Sequence, residues 1–185
     1  MAQLQSWQNF YLLLGGASAT LVGLMFVALS LGSGWWTEAD RPILTPSFNA
    51  FLSPTLIHFV YVLVTALVVL VPTLSESVLG GLLVLTGIGS LGHIVRNLPF
   101  VHARYRARSL DRSDLFWYSF MPSIPYILYL DAGTGLLRTT PHRHAFDALA
   151  TASVLLIVIG VRNAWDLVVF MAMQRLRTPD ADRSS

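Results

Sequence analysis

The chain has 185 residues, of which 54% are hydrophobic and only 12% charged, with a mean hydropathy of +0.60. An ordinary soluble domain carries about 25% charged residues, so too few polar groups are present to cover a soluble surface, and the composition points to a polytopic membrane protein. There is no Cys and every basic residue is Arg, which excludes disulfides, thiolate chemistry, Cys-ligated zinc or iron–sulfur sites, Lys Schiff bases and P-loops.

A pI near 9.3 would suggest nucleic acid in a soluble protein. In a chain this apolar it reads as Arg-bearing loops held against anionic headgroups, with no nucleic-acid partner. Met1–Asn9 carries no basic residue, and the apolar run after it is too long for the h-region of a secretory signal.

A membrane-crossing helix needs about 20 apolar residues. Phe10–Leu31 is an uncharged run of sufficient length, and Phe48–Val71 is a second, inside a charge-free stretch from Pro42 to Ser75. Ser77–Val95 is a third, joined to the second through Pro72–Glu76. So short a connection predicts an antiparallel hairpin. The fourth, Leu115–Leu137, is interrupted by Pro122, Pro125 and Asp131, which leaves a re-entrant segment as its alternative. The prolines predict a kink or break there, with Tyr118, Tyr126 and Tyr129 around it. The fifth begins near Phe146, is apolar from Ala148 to Val161, meets Arg162 and Asp166, and resumes from Val168 to Met173.

The expected fold class is therefore all-α: a single domain over residues 1–177, a bundle of five transmembrane helices, followed by a disordered cytoplasmic tail over 178–185. Arg placement orients it. Arg104, Arg106, Arg108 and Arg112 lie between the third and fourth spans, and Arg175, Arg177 and Arg183 follow the fifth. The opposite side holds Arg138 and Arg143. The asymmetry predicts an N-terminus outside and a C-terminus in the cytoplasm. Trp7, Trp35, Trp36, Trp117 and Tyr118 fall near span ends, where interfacial aromatics gather.

Three sets of residues are candidates for function. Gly15, Ala19 and Gly23 recur every four residues along the first span, a small-residue stripe that lets another backbone approach, within the monomer or between subunits of a homo-oligomer. His58 lies 14 residues before Pro72 and His93 lies 16 residues after Ser77, so both sit about 20–25 Å from the connecting turn. At equal depth two imidazoles can relay protons, bind a metal or ligate haem as a bis-His pair. They can equally be structural, bonding Thr65, Thr86, Ser90 or a backbone carbonyl.

Arg162, Asn163 and Asp166 form the third set. Charges at membrane depth face protein or water, and Arg162 and Asp166, four apart, share a helix face. With His58, His93 and Arg96 toward the same leaflet, they outline a polar inner-leaflet cluster that would suit an ion pathway or a staple fixing helix register.

No HExxH, GxSxG, Walker or GxGxxG signature is present, and nothing calls for a cofactor or a metal, so a non-enzymatic role is expected. The first span reads F-Y-L-L-L-G-G-A-S-A-T-L-V-G-L-M-F-V-A-L-S-L over Phe10–Leu31, and Gly160–Leu167 reads G-V-R-N-A-W-D-L. Together these resemble small bacterial inner-membrane proteins, some labelled "modulator of FtsH protease". The resemblance covers the first and last spans and brings no catalytic residues. It implies a bacterial cytoplasmic membrane setting and a partner-binding role. The leading expectation is an interaction or regulatory subunit whose basic loop (Arg104, Arg106, Arg108, Arg112) contacts membrane lipid or a membrane protein partner. The alternative is a small oligomeric channel or transporter using His58, His93, Arg162 and Asp166.

Overall fold

A computed structural model describes residues 2–33, 41–106, 116–138 and 143–177. Five long helices account for nearly all of them: α1 (Ala2–Ser33), α2 (Arg41–Val69), α3 (Glu76–Arg106), α4 (Met121–Leu137) and α5 (Arg143–Arg177). A π-helical turn, Phe116–Phe120, leads directly into α4. Among the described residues there is no strand.

The helices extend beyond the apolar runs. α2 starts at Arg41 and α3 continues through Pro99 to Arg106, so Arg104 and Arg106 stand on a helical extension, not in a loop. Hydropathy marks where a helix leaves hydrocarbon, and it does not mark where the backbone hydrogen bonding stops. The tail from Thr178, together with Arg108, Arg112, Trp35 and Trp36, lies outside the described residues.

α4 is continuous, and its prolines do not break it. Pro122 falls in its first turn, where a backbone N–H would lack an intrahelical partner anyway. Pro125 follows within the helix, and the turn before α4 takes the wider π geometry. Both prolines are buried with Tyr126, Tyr129, Ala132, Gly133 and Leu136 on one stripe of α4.

Consecutive helices pack together, with two exceptions: α2 packs on α5, and α2 and α3 are not a major contact. α3 packs on α4, α4 on α5, α5 on α2 and α2 on α1, while α1 barely meets α5. The short Leu70–Ser75 connection does not make α2 and α3 a tightly packed pair, because α4 takes the place beside α3 that the hairpin expectation gave to α2. The reason is steric. A Cβ added at Gly80 would lie 2.8 Å from the Gly133 carbonyl oxygen, and one at Gly133 would lie 2.7 Å from that of Gly80. Only two glycines facing each other let the α3 and α4 backbones come this close. Gly87 extends the same seam, where a Cβ would lie 2.7 Å from Leu130.

The contacts also give direction. Gly15, early in α1, meets Ala66, late in α2; Gly80, early in α3, meets Gly133, late in α4; Gly135 meets Ala145 at the start of α5. Successive helices therefore run antiparallel. One end of the bundle gathers the α1 start, the α2–α3 turn and the α4–α5 junction, and the other gathers Met25, Phe59, Trp117 and Arg162.

Apolar side chains fill the surface as well as the core. Tyr11, Val62, Tyr129, Phe146, Leu149 and Leu156 are fully buried, whereas Leu13 is 74%, Leu85 69% and Trp165 67% exposed. Soluble monomers rarely expose so many large apolar side chains together. Three stretches, Trp7–Ala28, Glu76–Arg96 and His144–Asp166, are long and apolar enough to cross a membrane, and Thr55–Val69 is a shorter apolar helix. These features are compatible with a membrane protein.

The glycine seam gives a direct prediction. Gly133→Leu should overpack the α3–α4 interface and cost about 1–3 kcal/mol, whereas Gly81→Leu, at a site where a Cβ meets nothing within 4 Å, should stay within about 0.5 kcal/mol of the parent. Unfolding in mixed micelles separates the two; equal effects would contradict the seam.

Candidate functional site

Where the surface is apolar, the interior holds the polar side chains. Ser18, Thr55, His58, Thr65, Ser90, Ser153 and Asn163 are all buried. Some of them pair across helices. Thr65 Oγ1 and the Tyr129 hydroxyl share a hydrogen bond at 2.8 Å, linking α2 to α4. Ser90 Oγ donates to the Tyr61 hydroxyl at 3.1 Å, linking α3 to α2. Tyr61 meets Tyr126 edge-on, with ring centroids 5.8 Å apart, and the His58 ring lies 6.3 Å from Tyr126. An aromatic and hydroxyl layer thus fastens α2 to both α3 and α4.

Other hydroxyls turn back on their own helices. Thr20, Thr86, Thr151 and Ser153 each donate to the carbonyl four residues earlier, at 2.8–2.9 Å. This satisfies a hydroxyl at membrane depth without a partner helix.

These pairings leave His58 in an unexpected position. Thr65, Thr86 and Ser90, the three hydroxyls available to it by sequence, are engaged with Tyr129, the Leu82 carbonyl and Tyr61. His58 is buried, and its Nδ1 has no hydrogen-bond partner. His93, by contrast, lies on the exposed side of α3. The two histidines therefore differ in environment and do not share an interior pocket. Among the described residues no group of three or more His, Asp and Glu side chains comes together.

Arg162 and Asp166 do pair, Nη2 to Oδ2 at 3.5 Å, along one face of α5. Arg162 also lies over the Trp117 ring, 4.6 Å from its centroid, which ties α5 to the π turn before α4. Both side chains are about one-third exposed, so the pair occupies the edge of the bundle. Asn163, one residue on, points the other way: it is fully buried, and neither its Oδ1 nor its Nδ2 has a partner. Arg96 is exposed on α3. The polar cluster expected from sequence therefore divides, with His58 and Asn163 inside and Arg96, His93, Arg162 and Asp166 toward the outside.

The small-residue stripe divides too. A Cβ on Gly15 would lie 3.1 Å from Ala66, so that position serves packing of α1 on α2. Ala19 and Gly23 are exposed, and nothing lies within 4 Å of a Cβ at Gly23. Each four-residue step turns a helix by about 40° beyond a full turn, enough to carry the stripe out of the interface. Beside it, Asn9, Leu12, Leu13, Gly16, Ala17 and Thr20 line an open groove of about 460 Å³ on the outer face of α1. Gly16 and Thr20 were not singled out by spacing, although the adjacent Gly15–Gly16 pair already signals small residues on two faces.

No protein-family model matches the chain, and no curated protein or solved structure matches it either.

The Tyr129–Thr65 bond sets a second prediction. Tyr129→Phe should destabilise the bundle by about 0.5–1.5 kcal/mol, the range for an interhelical bond whose loss strands a buried hydroxyl. Tyr61→Phe, at the longer and less buried Ser90 bond, should cost less. Reversal of that order in micelle unfolding would contradict the assignment.

Proposed function

We propose that the protein is a non-enzymatic interaction or regulatory subunit of the bacterial cytoplasmic membrane, homo-oligomeric through α1, with its N-terminus outside and its C-terminus in the cytoplasm. The observation that carries this reading is the position of α1. It is fastened along one flank, to α2, and its free flank is a groove of small residues between Leu12 and Thr20, continued by the open Gly23. In lipid, helices associate through such close backbone approach, since apolar side chains gain little by exchanging lipid for protein.

The resemblance of Phe10–Leu31 and Gly160–Leu167 to small bacterial inner-membrane proteins supports the setting and a partner-binding role. The burial of Tyr11, Tyr129, Phe146, Leu149 and Leu156 supports a packed body over a conducting one. Arg104 and Arg106, on the extension of α3, would meet anionic headgroups or an acidic partner beyond the hydrocarbon, where a basic residue is worth about 1 kcal/mol near a charged surface.

Native mass spectrometry of gently extracted protein tests the association. The parent should appear as a homo-oligomer, and Gly16→Leu combined with Gly23→Leu should shift it to monomer, while Val154→Leu on α5 should not. A parent that is monomeric and carries no second protein would overturn the reading. Replacing Arg104, Arg106 and Arg108 by Ala should lower the number of anionic phospholipids retained in the same spectra, and unchanged retention would remove the basic segment from the account.

A further inference from the structure

Most interior hydroxyls are paired, but a few buried polar atoms have no partner, Tyr11 Oη near the start of α1 among them. Toward the α2–α3 turn, Thr65 pairs with Tyr129 and Ser153 with the Leu149 carbonyl. Toward the opposite end, Asn163 Oδ1 and Nδ2 and His58 Nδ1 are buried and unpartnered, as is Ser18 Oγ nearer the level of Thr65.

Asn163 and His58 come from two helices that are packed together at this level. A Cβ on Gly160 would lie 2.5 Å from the Phe59 ring, so α2 at His58–Phe59 and α5 at Gly160 are in register. Asn163 is the next position along the buried stripe of α5, after Ile159 and Gly160. Phe59 and Met25 form a cluster with Leu21 and Val22 of α1 and Ala164 of α5 packed against it, an apolar wall beside this level.

An unsatisfied polar group in a membrane interior costs several kcal/mol, and Asn163 alone presents two such atoms. An apolar side chain at this position would incur no such cost. A buried amide with both polar atoms unpartnered calls for something that bonds to it.

We infer that Asn163 and His58 form a buried binding site for a small, uncharged molecule that both donates and accepts hydrogen bonds, with water as its resident. The donor–acceptor requirement follows from the groups themselves: the amide offers two N–H and a carbonyl, and the imidazole a ring nitrogen. Neutrality follows from the surroundings. No Arg, Asp or Glu is buried among the described residues, and the neighbouring Arg162 and Asp166 are paired with each other at the edge of the bundle. Polar partners of this kind, two to four per molecule, are what hold buried water. The site is separate from the groove on α1, so it stands whether or not subunits associate there.

Solid-state NMR of the nitrogen-15-labelled protein in liposomes, with magnetisation transferred from water, tests it on the intact chain. The Asn163 Nδ2 and the His58 ring nitrogens should receive water magnetisation severalfold faster than the backbone amides of Leu149 and Leu156 in the same bundle. Equally slow transfer to all four would mean a dry interior and would overturn the proposal. In Asn163→Val, the rapid transfer to His58 should be lost; its persistence would show that the two residues do not share a site. The parent protein alone decides whether the interior is hydrated, even if the variant does not fold.

Discussion

In hydrocarbon an apolar side chain gains little by leaving lipid for another helix, so a membrane bundle must be held by something other than the hydrophobic effect. Here that constraint is met by backbone proximity. Gly80 and Gly133 let α3 and α4 approach until each carbonyl sits where the other's Cβ would be. The rest of the arrangement follows. α4 is drawn against α3, α5 packs on the other side of α4, α2 fits against α5, and α1 is left at the end of the series with one flank free.

The polar side chains complete the fastening and distinguish the two halves. Tyr129 with Thr65, and Tyr61 with Ser90, fix α2 to its neighbours through hydroxyls that lipid cannot satisfy. Nearer the Arg162 end the fastening passes to the bundle's edge, where Arg162 bridges Asp166 and the Trp117 ring. Asn163, behind that pair, faces inward with nothing to bond. Charge is kept outside and neutral polarity inside, as burial costs require.

Much of this was legible in the sequence. The five helices coincide with the five apolar runs because length and hydropathy are read directly from residues. Their ends were not legible: α3 runs on to Arg106 because helix formers such as Ala and Arg continue the backbone pattern outside lipid. The α2–α3 hairpin was the natural expectation from a short turn, yet partner choice depends on glycines 53 residues apart, Gly80 and Gly133, a pairing that spacing within one helix cannot show. His58 and His93 share a depth but not a face, and depth was the only coordinate available before the packing was known. Asn163 was noticed for its neighbours Arg162 and Asp166, although helical spacing puts it on a different side from Arg162.

The central claim is that these five antiparallel helices cross a bilayer with the α2–α3 turn outside. Because the chain has no Cys, single-cysteine variants labelled by a membrane-impermeant maleimide in intact cells test it directly. Thr73→Cys in the turn should label in intact cells, whereas Ser109→Cys between α3 and α4 and Ser184→Cys in the tail should label only after permeabilisation. Labelling of Thr73→Cys and Ser109→Cys from the same side would contradict the crossing of α3 and with it the account of the bundle.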